Sequence, residues 1–186
     1  PMLVAGQVQF YMGGATGAIN SVKEGIPTVT LAAIFQKDPQ ILMSHPGKFA
    51  TFPELAGASK YILSADGFTS YFGWMKSEWP EFVDDKYEPY QFNPASFLAD
   101  DMAIQQGYLT SEPYSIEQAA GFAPDVWLLA DQGTYKPYST TIEAMKPWYD
   151  ANKDVAKRFV EASIIGWYTY LYGDNSAGNA LIKADN

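Results

Sequence analysis

With 186 residues, the chain can build one good core or two small lobes, and its 47% apolar and 16% aromatic content marks a packed globular protein rather than a disordered one. The formal net charge is −9 and the 12 Lys and Arg residues are scattered, which leaves no basic stripe for nucleic acid or an anionic membrane. The absence of cysteine excludes thiol catalysis, disulfides and Cys-based metal sites.

In chain order, Val8-Gln9-Phe10-Tyr11 reads as a short strand, followed by the glycine loop Gly13-Gly14-Ala15-Thr16-Gly17 and a helix over 18–24 that Gly25 stops. Pro27 precedes Thr28–Phe35, an apolar β-rich run suited to a buried parallel strand, so the opening is a βαβ unit. Gln40–His45 is a strand closed by Pro46-Gly47, Phe52–Gly57 a single helical turn, and Lys60–Ser64 another strand. A helix is predicted over 68–79, with Phe68, Tyr71, Phe72, Met75 and Trp79 on one face. Strands follow over 87–92, 106–110 and 126–130, with helices opening at Asn93-Pro94 and over 115–120. Tyr138–Ile142 reads as a last strand. From Pro147 onward the chain is helical, and 156–172 is apolar nearly all round, which asks for partners on more than one side. No apolar run is long enough for a membrane span and no signal peptide is present. Neither Pro1 nor Asn186 reads as a domain boundary, so the expectation is a piece of a longer protein.

Gly25-Ile26-Pro27 before Ala33-Ile34-Phe35-Gln36-Lys37-Asp38-Pro39, then Gln105-Gln106-Gly107-Tyr108-Leu109-Thr110-Ser111-Glu112-Pro113, then 159–168, together resemble the NMT1/THI5-like group. That group includes SsuA-, TauA- and ThiY-type binding proteins for sulfonates, taurine and thiamine-precursor pyrimidines. The resemblance implies an α/β periplasmic-binding-protein fold of type II: two α/β lobes, a hinge, and a ligand between them. On this reading 1–45 is part of lobe 1, 46–125 is lobe 2, and 126–186 returns to lobe 1. Lobe 1 is then incomplete, N-terminally truncated, and the exposed C-terminal helix favours a homodimer.

Ligands in such folds meet strand C-termini and helix N-termini, where free N–H groups receive polar groups. Three stretches qualify. Gly13, Gly14 and Ala15 let a ligand approach the backbone, but lack the pattern of a nucleotide loop. Ser64, Asp66, Phe68 and Thr69 combine hydroxyls with a stacking ring, and Ser64 or Asp66 also suits a helix cap. Glu112 and Tyr114 end the last strand of lobe 2, with Glu112 suited to a ligand amine or ring N–H. Phe35 and Gln36 are placed near the hinge. Asn93, Tyr11, Phe92, Asp131 and Tyr135 are further candidates, and His45 reads as a strand end rather than a base.

The expectation is therefore a non-enzymatic solute-binding protein that delivers a small molecule to a membrane ABC permease. It would act in the periplasm or, membrane-anchored, elsewhere outside the cytoplasm. No cofactor or metal is expected. A flat pyrimidine-like ligand is favoured over sulfonate, taurine or nitrate, because Glu112 opposes an anion. The alternatives are a sensory module of the same fold and a pyrimidine synthase of the fungal type, whose cysteine-rich motif is absent here.

Overall fold

The computed structural model describes residues 2–185. In chain order the first half holds β1 (Tyr11–Gly13), α1 (Ala15–Lys23), β2 (Thr28–Phe35), β3 (Gln40–Ser44), β4 (Tyr61–Leu63), α2 (Ala65–Thr69), α3 (Tyr71–Glu78) and β5 (Tyr87–Pro89). The second half holds α4 (Ala95–Leu98), β6 (Ile104–Tyr108), α5 (Glu112–Ala120), β7 (Asp125–Leu128), β8 (Ser139–Met145), α6 (Lys146–Ala151), α7 (Lys153–Tyr172) and α8 (Ser176–Asp185).

The chain divides into two compact units and crosses between them after Ile34 and after Ser139. The expected crossings at 45/46 and 125/126 are corrected by the strand pairing. β3 pairs antiparallel with both β6 and β7, from Gln40↔Tyr108 to Ser44↔Ile104 and from Ile41↔Leu128 to Ser44↔Asp125. These ladders tie 40–44 and 125–128 into one sheet, so both segments belong to the second unit.

In the first unit a three-stranded sheet has the order β1-β8-β2. β1 runs antiparallel to β8, with Tyr11 opposite Glu143 and Gly13 opposite Thr141. The βαβ expectation is thereby modified: β8 separates β1 from β2, and β2 is half-buried rather than buried. α1 begins at Ala15, and Gly25 ends the turn after it with φ 76°, a conformation glycine adopts without strain. Phe10 stacks on Phe159 at 3.9 Å and meets the edge of Trp148 at 5.1 Å, anchoring α7. Of α7 only Ala156 is buried; Ile165, Tyr168 and Leu171 are exposed. Among the described residues no helix is long and apolar enough to cross a membrane.

In the second unit a five-stranded sheet has the order β5-β4-β6-β3-β7. Strand alternation divides its side chains into two apolar layers. Leu42, Tyr61, Leu63 and Ile104 pack with Phe72, Met75 and Phe82. Ile41, Met43 and Ile62 pack with Phe97 and Ile116. Each such fully buried side chain contributes roughly 1.5–3 kcal/mol of transfer free energy. The single helix expected over 68–79 is two helices broken at Ser70 (φ −107°, ψ −95°). At this break Ser70 Oγ donates to Asp66 O at 2.6 Å and Thr69 Oγ1 to Ala65 O at 3.0 Å.

Candidate ligand-binding site

Within the second unit, strand direction collects several loops at one end of the sheet. β4 is parallel to β5 and to β6, while β3 is antiparallel to β6 and to β7. The C-terminal ends of β4, β5, β6 and β7 and the N-terminal end of β3 therefore lie together. This end carries Asp38, Ser64, Asp66, Tyr90, Phe92, Glu112 and the turn at Asp131.

The β4–α2 turn is built tightly. Ser64 caps α2, its Oγ accepting the Gly67 N–H at 3.1 Å. Gln106 Oε1 accepts two donors, the Ser64 N–H at 2.6 Å and the Tyr71 hydroxyl at 3.0 Å. Gly67 has to be glycine: a Cβ there would fall 2.5 Å from the Tyr71 hydroxyl oxygen and 2.9 Å from Gln106 Oε1.

Across the sheet, the buried Asp38 carboxylate accepts the Tyr135 hydroxyl at 2.8 Å and the Gln40 N–H at 3.1 Å. Gln40 Nε2 in turn donates to Gly107 O at 2.9 Å. Glu112 opens α5 and its Oε2 accepts the Tyr108 N–H at 2.6 Å.

Burial and nearby carboxylates both act on the tyrosines of this end. Burial pushes the Tyr135 hydroxyl well above the usual tyrosine range, and the Asp38 carboxylate adds to it. Burial likewise raises Tyr71, reinforced by Tyr135, Asp66 and Asp38. Tyr108 is raised by burial, with the Asp38, Asp66 and Glu112 charges contributing, while the Ser139 hydrogen bond opposes the shift. Asp38, Asp66 and Glu112 thus bring carboxylate charge to this end, while Asp131 is paired with Lys37 at 2.5 Å.

The candidates from the sequence fall in different places. Ser64, Asp66, Asn93, Glu112 and Tyr114 are brought to this end of the sheet, and Tyr114 is 67% exposed. Phe68 lies between Phe72 and Tyr87, with centroids at 5.4 and 4.2 Å, and Thr69 spends its hydroxyl on α2 carbonyls. Asn93 does not cap α4; Pro94 holds that position, and Asn93 Oδ1 instead accepts the Ala95 N–H at 3.0 Å. Phe35 and Gln36 stand at the first crossing between units. Gly13, Gly14 and Ala15 form the β1–α1 junction of the first unit. Glu143 Oε1 lies within 2.6 Å of where a Gly13 Cβ would be, no side chain caps α1, and a Cβ on Gly14 would meet nothing within 4 Å.

Sequence reasoning missed Asp38, Tyr71 and Gln106 as parts of this end. The half-buried amide of Gln106 inside strand β6 was the available signal, since such a group seeks partners. The Tyr135–Asp38 bond spans 97 positions and left no local trace.

The profile of the family described as NMT1/THI5 like matches residues 1–173. No curated protein sequence matches the chain. Among solved structures, the periplasmic aliphatic sulphonate binding protein SsuA from Escherichia coli is similar at TM-score 0.63 and 11% identity, covering 91% of this chain and 58% of its own. A substrate binding protein of an ABC uptake transporter from Streptococcus pneumoniae, with bound histidine, gives TM-score 0.59 and 15% identity over 93% of this chain and 71% of its own. GshT of Streptococcus mutans, described with glutathione import, gives 0.60 and 14% over 92% and 72%. The chain thus spans 58% of the length of the SsuA protein it matches. At these identities the likeness establishes the fold, a periplasmic-binding-protein fold of type II.

Proposed function

The chain belongs to the NMT1/THI5-like family, and from that premise we propose that it captures a small organic solute for an ABC importer. The observation that carries the reading is the family match over residues 1–173. The end of the second-unit sheet supports it, because it presents polar groups held rigidly by their neighbours and no catalytic set is needed for capture. The protein would work outside the cytoplasm, handing its solute to a membrane permease.

The preferred ligand is a flat nitrogen heterocycle of the pyrimidine kind. Asp66 and Glu112 give the rim acceptors and negative charge, Asp38 adds charge beneath them, and Phe92 and Tyr114 give it aromatic surface. A sulfonate would meet repulsion from the same carboxylates.

Isothermal calorimetry of the full-length protein against an aminopyrimidine, taurine and nitrate tests both levels. Binding of the aminopyrimidine supports the whole reading. Taurine or nitrate binding with no response to the heterocycle overturns the ligand preference, and silence across a broad solute panel overturns capture.

A further inference from the structure

Phe92 is the most unusual residue at the end of the second-unit sheet. Its backbone has φ 56°, a left-handed conformation that costs a bulky side chain energy. Among the described residues only Phe92 and Thr140 do this without being glycine. The neighbouring Asn93 belongs to the residue types that tolerate this conformation, yet the left-handed position falls on the phenylalanine.

The strained backbone holds the ring outward. Phe92 is 79% exposed, whereas Tyr90, two residues earlier, is 9% exposed and packs in the core layer. The two rings lie 5.0 Å apart at 44°. Side-chain bonds on both sides fix the loop: Gln91 Nε2 donates to Pro89 O at 3.2 Å, and Asn93 Nδ2 donates to Gln91 O at 3.2 Å. The buried Tyr90 is the base of a platform and Phe92 is its free face. Strain that packing does not repay, at the end of a sheet where carboxylates gather, points to a role in binding.

We propose that Phe92 is the specificity-determining residue of the ligand site, its ring providing, on Tyr90, the stacking surface for the flat face of a nitrogen heterocycle. This rests on the solute-capture reading above. Stacking selects planar rings of any substitution and gains nothing from an aliphatic sulfonate.

The test compares wild type with Phe92→Ala, Phe92→Tyr and Phe92→Gly in the full-length protein, using an aminopyrimidine and taurine as probes in calorimetry. Phe92→Ala should weaken aminopyrimidine binding about tenfold and Phe92→Tyr should retain it within about twofold. Without any ligand, Phe92→Gly should melt roughly 2–4 °C above Phe92→Ala, because glycine takes φ 56° freely. Unchanged aminopyrimidine affinity in Phe92→Ala overturns the stacking role and leaves solute capture intact. Binding of taurine alone does the same. A wild type that binds no solute overturns the capture reading and this inference with it.

Discussion

Replacing Gln106 with alanine removes one acceptor on which two donors converge. Gln106 Oε1 takes the Ser64 N–H at 2.6 Å and the hydroxyl of Tyr71 at 3.0 Å, and Tyr71 is 4% exposed. In Gln106→Ala the buried hydroxyl loses its partner, and an orphaned buried polar group costs about 1–3 kcal/mol. Adding the lost Ser64 bond, at about 1 kcal/mol, brings the expected destabilisation to about 3 kcal/mol. Tyr71→Phe gives up one bond but strands nothing, since Gln106 keeps Ser64, and should cost about 1 kcal/mol. The double variant has no hydroxyl left to strand and should cost about 2 kcal/mol, so the coupling is about 2 kcal/mol. Urea unfolding of the four proteins measures the cycle, and native-state hydrogen exchange should show the Ser64 amide losing protection in Gln106→Ala alone and in the double variant. Additivity within about 0.5 kcal/mol, or an unchanged Ser64 amide, would refute the shared-acceptor argument.

Gly107→Ala places a Cβ 2.8 Å from Glu112 Cβ and 2.9 Å from Met43 Cε, and should destabilise by about 1–3 kcal/mol in thermal melts. Gly13→Ala should cost less, since the atom it meets at 2.6 Å is the end of the Glu143 side chain. Ser64→Ala removes the α2 cap and should lower stability by about 0.5–2 kcal/mol in urea unfolding. The pH dependence follows from tyrosines whose hydroxyls are partly or fully withdrawn from water. Tyr61, Tyr71, Tyr90, Tyr108 and Tyr135 are all raised, chiefly by burial. Above about pH 10 the unfolded tyrosines ionise first, the folded state holds more protons, and stability falls as pH rises. Alkaline titration of the unfolding midpoint should show this loss, and Tyr135→Phe should make it shallower; an equal slope in the variant contradicts the assignment.

The sequence revealed much of the fold and little of the site. The run Thr28–Phe35 was legible residue for residue as a strand, because β-branched and aliphatic residues between Pro27 and Gln36 leave few alternatives. Its neighbours were not legible: an apolar run shows that a strand exists, not which strand lies beside it, and β8 comes more than a hundred positions later. The helical face of Phe68, Tyr71, Phe72, Met75 and Trp79 was correctly apolar, yet periodicity carried no sign of the break at Ser70. At that break the Ser70 and Thr69 hydroxyls donate to Asp66 O and Ala65 O, contacts that apolar spacing does not encode. Glu112 was readable as a carboxylate at a strand end, but not as the acceptor for Tyr108 N–H. Site geometry depends on pairs far apart in sequence, such as Tyr135 with Asp38, and local patterns are silent on these.

The order β1-β8-β2 sets a schedule for synthesis. Every strand of the five-stranded sheet lies between Gln40 and Leu128, so once that stretch has left the ribosome its sheet can close. The first unit has to wait. Its middle strand β8 is the last strand among the described residues, and until Ser139–Met145 emerges, β1 and β2 lack the strand that lies between them. A nascent chain stalled before residue 139 would therefore carry one finished five-stranded sheet while β1 and β2 still await β8, which makes those two strands the natural place for a chaperone to hold.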